Sequence, residues 1–543
     1  MHVPASPARI DVGPRLALAA LTALAVLHTW PLMAPPWRQA MTYHADVQLN
    51  SWILAWVAHA LATDPRHLFD GNLFWPEPGT LAYSEPLIVP ALVVAPILWL
   101  GGSPVLAFNI TDLIGLVATA WATWWVVRRW TGSGSAALVS AALAAFNVHT
   151  LTRVAHLAAT HAWGLPLAWY FADALGERPR WRTAAALSLV IAATAATSAY
   201  LLAFAGLIVA VVTVLHLPRW RSVAALAASA TMGLALAAPV LLPYVRLSRS
   251  GARRPIEMVE QFSASWSGYL VSTSHVHGGW TRPFFTTDVN VLFAGVVALA
   301  LAVAGVGVAV TSGAASRRRA ATLILLAGVA VVLSVGPATT LYRWLYAHVS
   351  PLQGLRAAAR FGHVYLLAVA LAAGFAVAAL ERRCRPGWAL TIAIGLLVAV
   401  TVEAWSGPLR TVTWTRVPAI YRLVAEAPDP VRLVEVPFYP PEMVFENGEY
   451  VLNATAHWKP LMNGYSGFTP DSYRERTGSF WFFPEPWAID AIRRAGATHV
   501  MVHLEKITAD EVIAIQEALR TRPDLRLLAS DPQGHRLYAV RGD

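Results

Sequence analysis

Eleven apolar runs, each about long enough to cross a bilayer, divide the first 405 residues of this 543-residue chain. They fall at roughly 16–34, 104–127, 134–151, 158–175, 183–199, 200–216, 223–244, 289–311, 320–337, 362–380 and 388–405. A helix of about 20 residues spans a hydrocarbon core of about 30 Å, so this pattern leaves few folds open. Only 13% of the residues are charged, 56% are hydrophobic, and mean hydropathy is +0.50. Soluble domains carry roughly 25% charge. Half that amount does not cover a water-facing surface of this length, and the apolar excess is expected to face lipid.

The formal net charge is +10, almost all of it from Arg, with Lys only at 459 and 506. The Arg residues sit in short clusters between apolar runs. That is the positive-inside pattern of membrane proteins, not the basic face of a nucleic-acid binder, and no nucleic-acid partner is expected. Arg9 and Arg15 precede the first run, which exits into Pro35, Pro36 and Trp37 without a small-residue cleavage site. It reads as a retained first span. The run 86–100 is short and contains Pro86, Pro90 and Pro96. If it spanned, the clusters Arg128–Arg129, Arg178–Arg182, Arg219–Arg221 and Arg317–Arg319 would all lie outside. If it re-enters or lies along the interface, they lie inside with the N-terminus, as does Arg382–Arg385. Charge bias in short loops selects the second topology. The long apolar stretch 183–216 divides near Ser198–Tyr200.

The expected fold is a polytopic α-helical membrane protein of about 11 transmembrane helices. Its transmembrane domain is 1–405, with a first outer loop at 35–103 that carries juxtamembrane helices. The expected site is a bacterial cytoplasmic membrane, with the N-terminus cytoplasmic. After 405 the charge rises and the long apolar runs stop. Strand-like runs appear at Val431–Val436, Thr498–His503, Leu525–Leu528 and Arg536–Val540. Helical patterns appear near 487–495 and near 508–521, the second capped by Thr508 or Asp510. A closing hairpin turns at Asp531–Gly534. Residues 406–543 are therefore expected to form a small extracytoplasmic α/β domain. Cys384 is the single cysteine, which excludes an intrachain disulfide and a cysteine metal site.

Three groups of residues could carry chemistry. The first outer loop holds Asp46, ahead of a segment with Trp52 and Trp56, then Asp64, Asp70, Glu77 and Glu85. Asp46 and Glu85 stand at loop–membrane junctions, where partial burial tunes a carboxylate toward general-base work. Such residues can also hold a divalent cation, cap a helix or pair with Arg. The second group is cationic. Arg246, Arg249, Arg253 and Arg254 follow one span, and Arg356 and Arg360 stand four apart, on one face if the segment is helical. These outer-face clusters break the positive-inside rule. They point to an anionic ligand such as phosphate, or to pairing with Asp46, Glu85 or lipid headgroups. The third group is His149, His156, His161, His275 and His277. None has a carboxylate at ligand-like spacing, so no metal is expected, and His156 is the candidate for substrate contact. Phosphate-loop, GxSxG and HExxH signatures are absent. Asp112, Asp173 and Glu403 are the few intramembrane charges, which argues against an ion-coupled transporter.

The stretches HADVQLNSWILAW, NLFWPEPGTLAYSEPLIVPAL, RVAHLAATHAWGLPL, LQGLRAAARFGH and HWKPLMNGYSGFTPDSY, with the hydropathy profile, resemble the polytopic glycosyltransferases of the GT-C fold, especially their YfhO-like branch of bacterial membrane proteins. The resemblance implies a catalytic acidic residue in the first outer loop, a position that Asp46 occupies. It also implies a polyprenyl-phosphate-sugar donor and an envelope lipid, glycan or protein acceptor. The first loop lacks the Asp-x-Asp of metal-dependent oligosaccharyltransferases, and Ser84-Glu85-Pro86-Leu87 stands where aminoarabinose transferases carry Lys-Pro-Pro-Leu. On this reading Asp46 is the base, Glu85 and His156 orient substrate, and Arg356, Arg360, Arg253 and Arg254 meet the lipid phosphate. Trp458, Tyr465 and Phe468 offer flat faces to an acceptor sugar, and no cofactor is expected, a divalent cation being unsupported. Two rivals stay open. One is a flippase or exporter of lipid-linked glycans that uses the same Arg surface. The other is an accessory protein that binds lipid-linked sugar.

Overall fold

The computed structural model describes residues 12–251, 253–285 and 291–541. Arg9 and the first two residues of the 289–311 run lie outside the described residues. The chain forms two compact units. One runs through Ala34 and from Ile110 to Arg410; the other takes Pro35–Asn109 and Thr411–Asp543. By its contacts the segment 35–109 packs with the C-terminal residues.

The first unit is helical. Each of the eleven apolar runs is carried by one main helix, from Pro14–His28 to Pro386–Ala404. Pro104–Thr131, Trp220–Arg249 and Ala358–Arg383 are long and apolar enough, by length and composition, to cross a membrane. Apolar side chains on these and neighbouring helices point away from the protein, with Val303 75% exposed and Leu189, Leu236, Ile324 and Val398 also exposed. Exposed Trp181 and Trp220 open their helices beside Arg182 and Arg221, as amphipathic rings do at headgroup depth. A surface of this kind is a lipid-facing one, and the chain is an integral membrane protein.

The stretch 183–216 is two helices, Trp181–Thr197 and Ala199–Leu215. Ser198 breaks it by capping the second, its hydroxyl accepting from the amides of Tyr200 and Leu201 at 3.1 and 3.3 Å. Helices pack through small residues, as they do where lipid supplies no hydrophobic drive. A Cβ on Gly305 would fall 1.8 Å from the carbonyl oxygen of Ala372. Glu177, closing the helix Gly164–Glu177, pairs with Arg219 at 3.4 Å and with Arg318, and Arg319 meets Asp173 at 2.8 Å. Arg residues from two of the expected inner clusters thus meet acids at one end of one helix. Glu403 caps the helix Val296–Thr311, accepting from the amides of Val296 and Val297 and meeting His277 at 2.8 Å, which is a structural use of that acid.

The second unit is built on a four-stranded sheet. Its strands are β1 (Leu433–Val436), β2 (His499–His503), β3 (Leu525–Ser530) and β4 (His535–Val540), in the order β1-β2-β4-β3. β1 and β2 run parallel; the other pairs are antiparallel. All four expected strands are present, as are the helices Pro486–Arg494 and Ala509–Arg520. Thr508 and Glu511 form the capping box of the latter. The early segment 35–109 supplies the helix Ala45–Thr63, which packs on the helix Ile88–Trp99. The second helix has 12 residues. At 1.5 Å per residue it rises about 18 Å, too short to cross a core of about 30 Å.

Candidate functional site

The second unit joins the early segment to the sheet through a short bridge, residues 460–463. On one side Leu433 N donates to Pro460 O, and Met462 N to Leu433 O, both at 2.9 Å. On the other, Leu461 N donates to Asn72 O at 2.8 Å, Trp75 N to Leu461 O at 2.9 Å and Phe74 N to Asn463 O at 3.0 Å. Buried amides lock the bridge. Asn463 Oδ1 accepts from Glu435 N at 2.7 Å while its Nδ2 donates to Glu435 O at 2.8 Å. Asn72 Oδ1 accepts from the Trp52 indole at 3.0 Å. The next residue must be Gly: a Cβ on Gly464 would lie 2.7 Å from the Phe74 ring.

This bridge brings Tyr465 to Asp46, 419 residues away in sequence, and the Tyr465 hydroxyl donates to Asp46 Oδ1 at 2.8 Å. Asp46 stands in the first turn of the helix Ala45–Thr63, where the helix dipole favours a carboxylate. His44 caps that helix, its Nδ1 accepting from Asp46 N at 3.2 Å. Nδ1 is therefore an acceptor and the ring proton sits on Nε2. The carboxylate is 22% exposed. Its Oδ1 is held by Tyr465 and its Oδ2 lies 3.7 Å from His44 Nδ1, so the carboxylate is fixed in place and still reached by solvent, a geometry suited to accepting a proton from a bound hydroxyl.

The other expected residues are placed as follows. Glu85 is half-buried in the turn between the 3₁₀ helix Thr80–Tyr83 and the helix Ile88–Trp99. Trp458 stacks on His59, ring centres 4.2 Å apart, and leans on Trp56 at 6.0 Å. These contacts lay one face of the Trp458 ring against His59. Phe468 meets Tyr83 edge-on at 5.2 Å.

In the helical unit, Arg360 stands over Tyr200, and Arg254 lies near both Tyr200 and Arg356. The Arg360 guanidinium stands 4.4 Å from the Tyr200 ring centre, and Ala357 N donates to the Tyr200 hydroxyl at 2.9 Å. Arg356 lies over Phe262 at 5.1 Å. Arg254 is tied to the same loop by Arg254 N donating to Gln353 O at 3.0 Å. Burial, then the nearby charge of Arg356, lower Arg254 to about 10, a cost that a bound anion relieves. The helix face expected for Arg356 and Arg360 is absent. Arg356 sits in a non-helical segment and Arg360 in the 3₁₀ turn Ala358–Phe361, so the pair is presented by an irregular loop. Arg253 is exposed. His156 is the N-cap residue of the short helix Leu157–Thr160. The sequence reading missed Tyr200, which lies on a helix far from either Arg in sequence.

No protein-family model and no curated protein matches the chain. Among solved structures it is similar to the archaeal oligosaccharyltransferase AglB from Archaeoglobus fulgidus, in complex with an inhibitory peptide and a dolichol-phosphate. Identity is 13%, the match covers 97% of this chain and 74% of that one, and the TM-score is 0.46. It is also similar to ArnT from Cupriavidus metallidurans in the apo state, at 14% identity over 97% of each chain with a TM-score of 0.43. ArnT bound to undecaprenyl phosphate gives 13% identity over 97% of each chain and a TM-score of 0.41. With every TM-score below 0.5, the residues carry the reading that follows.

Proposed function

We propose that the chain is a GT-C-type membrane glycosyltransferase that moves a sugar from a polyprenyl-phosphate donor to an extracytoplasmic lipid, glycan or protein acceptor. The observation that carries this reading is the Asp46 carboxylate, held by Tyr465 at the start of a helix and still reached by solvent. Asp46 Oδ2 takes the proton of the acceptor hydroxyl as its oxygen attacks the anomeric carbon. The bond from that carbon to the phosphate oxygen breaks, and the lipid phosphate leaves with the electron pair. Arg356 and Arg360, with Arg253 or Arg254, are assigned the lipid phosphate, because guanidinium groups stay charged and bind two oxygens at once. Glu85 and His156 are assigned to orient substrate. Trp458, Tyr465 and Phe468 are assigned to the acceptor.

The topology belongs to the same proposal. About eleven spans lie in a bacterial cytoplasmic membrane, the N-terminus is cytoplasmic and the C-terminal unit is outside. The meeting of Arg219 and Arg318 at Glu177 supports a common face for the inner clusters.

The test is transfer of radiolabelled sugar from polyprenyl-phosphate donors by the purified protein beside Asp46→Ala. Transfer by the wild type that falls at least a hundredfold in the variant supports the enzyme and its base. Full activity in the variant removes Asp46 from the chemistry. Donor binding by the wild type without turnover favours the exporter or binding-protein reading.

A further inference from the structure

The sheet of the second unit carries a cluster of histidines and carboxylates that the transfer chemistry does not use. His503, at the end of β2, is the cross-strand partner of His535 at the start of β4. Their rings are 5.0 Å apart at 82°. Glu505 follows in the 3₁₀ turn Leu504–Lys506. Its Oε1 lies 3.2 Å from His503 Nδ1 and 3.4 Å from His535 Nε2.

The opposite ring nitrogens are both committed. His503 Nε2 meets Glu435 Oε2 at 2.7 Å, and that oxygen also accepts from the Tyr421 hydroxyl at 2.6 Å. His535 Nδ1 meets Asp531 Oδ2 at 2.6 Å. The Asp531 carboxylate is itself fixed, its Oδ1 accepting from the amides of Gln533 and His535 at 3.0 Å. An outer carboxylate that takes one imidazole N–H orients the ring and leaves the other nitrogen, once its proton is displaced, as a lone pair for a metal. Here two such pairs aim two nitrogens at one glutamate oxygen. The histidine side chains are only 1% and 6% exposed, while Glu505 is 35% exposed, which leaves one side open for entry.

We propose that His503 Nδ1, His535 Nε2 and Glu505 bind a divalent transition metal, of which Zn²⁺ is the best fit. Zinc takes imidazole nitrogen at about 2.0–2.1 Å and carboxylate oxygen at about 2.0–2.2 Å in tetrahedral geometry. The edge of such a tetrahedron is about 3.3 Å, which matches the 3.2 and 3.4 Å separations already present. All three candidate ligand atoms lie within 4.8 Å of one another. Two nitrogens and one oxygen suit zinc over calcium or magnesium, which prefer all-oxygen sets. Water or a ligand atom fills the fourth position. Binding releases protons from nitrogens that otherwise share them with Glu505. The metal would tie the turn after β2 to the start of β4.

The experiment uses the full chain in detergent, purified without a histidine tag and stripped with chelator. Zn²⁺ binding is measured by equilibrium dialysis with metal analysis, and Co²⁺ is added as a spectroscopic probe. The expected result is one equivalent of Zn²⁺, displaceable Co²⁺ with the visible bands of a tetrahedral site, and at least a tenfold loss of affinity in both Glu505→Gln and His535→Ala. Because Glu505 is on the surface, its variant keeps the test meaningful if a histidine variant misfolds. Less than a tenth of an equivalent bound by the wild type overturns the proposal. So does equal affinity in wild type and Glu505→Gln, or octahedral-only Co²⁺ spectra.

Discussion

Asp46 and Tyr465 meet inside a framework of backbone and buried amide hydrogen bonds, whereas Arg254, Arg356 and Arg360 ride on irregular segments, Arg356 and Arg360 over aromatic rings. The carboxylate inherits its position from a sheet edge: β1 holds 460–463, that bridge holds 72–75, and Tyr465 follows two residues later. The guanidinium groups are positioned by ring contacts of 4.4 and 5.1 Å and by short loop tethers. Contacts of this kind hold a flexible side chain loosely and contribute about 0.5–1 kcal/mol where exposed. A proton acceptor has to be placed to within tenths of an ångström of its donor. A phosphate is large, multiply charged and tolerant of the angle from which it is approached. On the proposed function, the two regions differ as those two tasks do.

The largest effect that bears on this contrast is expected from removing charge. In the transfer assay, Arg356→Ala with Arg360→Ala should lower kcat/KM by about 10²–10³-fold, the scale on which preorganised charge acts on a leaving group. Lys at both positions should restore only part of it, because an ammonium does not bind two oxygens in a fork. A double variant with unchanged kcat/KM would remove the Arg group from the chemistry and leave it a lipid-headgroup contact.

The next effect separates the regions by pH. His457 lies just ahead of the 460–463 bridge, is 4% exposed, and accepts the Lys459 amide on Nδ1 at 3.0 Å. Burial, with a smaller push from Lys459, lowers it to about 3. Between about pH 3 and its ordinary 6.5 the unfolded chain binds a proton here that the folded chain does not, so stability falls as pH falls through that window. The slope is about 1.4 kcal/mol per pH unit. Wild type should lose about 2 kcal/mol more than His457→Asn between pH 6.5 and 5, read from unfolding followed by Trp fluorescence. Equal slopes would show that His457 does not gate the bridge.

Much of this framework is legible in the sequence, and the limits follow from distance along the chain. The strand runs near 433, 499, 525 and 536 and the Thr508–Glu511 box are local patterns, written within a few residues of one another. The break at Ser198 is local too: one hydroxyl caps two amides. Asp46 and Tyr465 each stand out in the sequence, but their pairing across 419 residues rests on three strand-like segments that no local period encodes. Arg356 and Arg360 differ in kind. Spacing of four suggests a helical face, yet the segment is fixed by the tethers of its neighbours to Tyr200 and Arg254. His503 and His535 become partners only when β2 and β4 pair, with β3 between them in the chain. Without that pairing neither histidine has a second ligand in view, and no local pattern points to a metal.

The smallest expected effect is the most informative about the carboxylate. Tyr465→Phe removes one hydroxyl that donates to Asp46 Oδ1 and leaves the ring in place. A hydrogen bond to a charged acceptor contributes about 1.5–3 kcal/mol at most, less where solvent reaches it, and Asp46 is partly solvated. If the bond orients a working base, kcat should fall about five- to tenfold with KM nearly constant, and the acidic limb of the pH–rate profile should move upward, since the lost donor had favoured the ionised form. If Asp46 is only a helix-terminal anchor, the same substitution should lower stability slightly and leave both kcat and the profile where they were. A variant that raised KM alone would instead place the Tyr465 hydroxyl on the acceptor, and the Asp46 contact would be what that hydroxyl does while it waits for substrate.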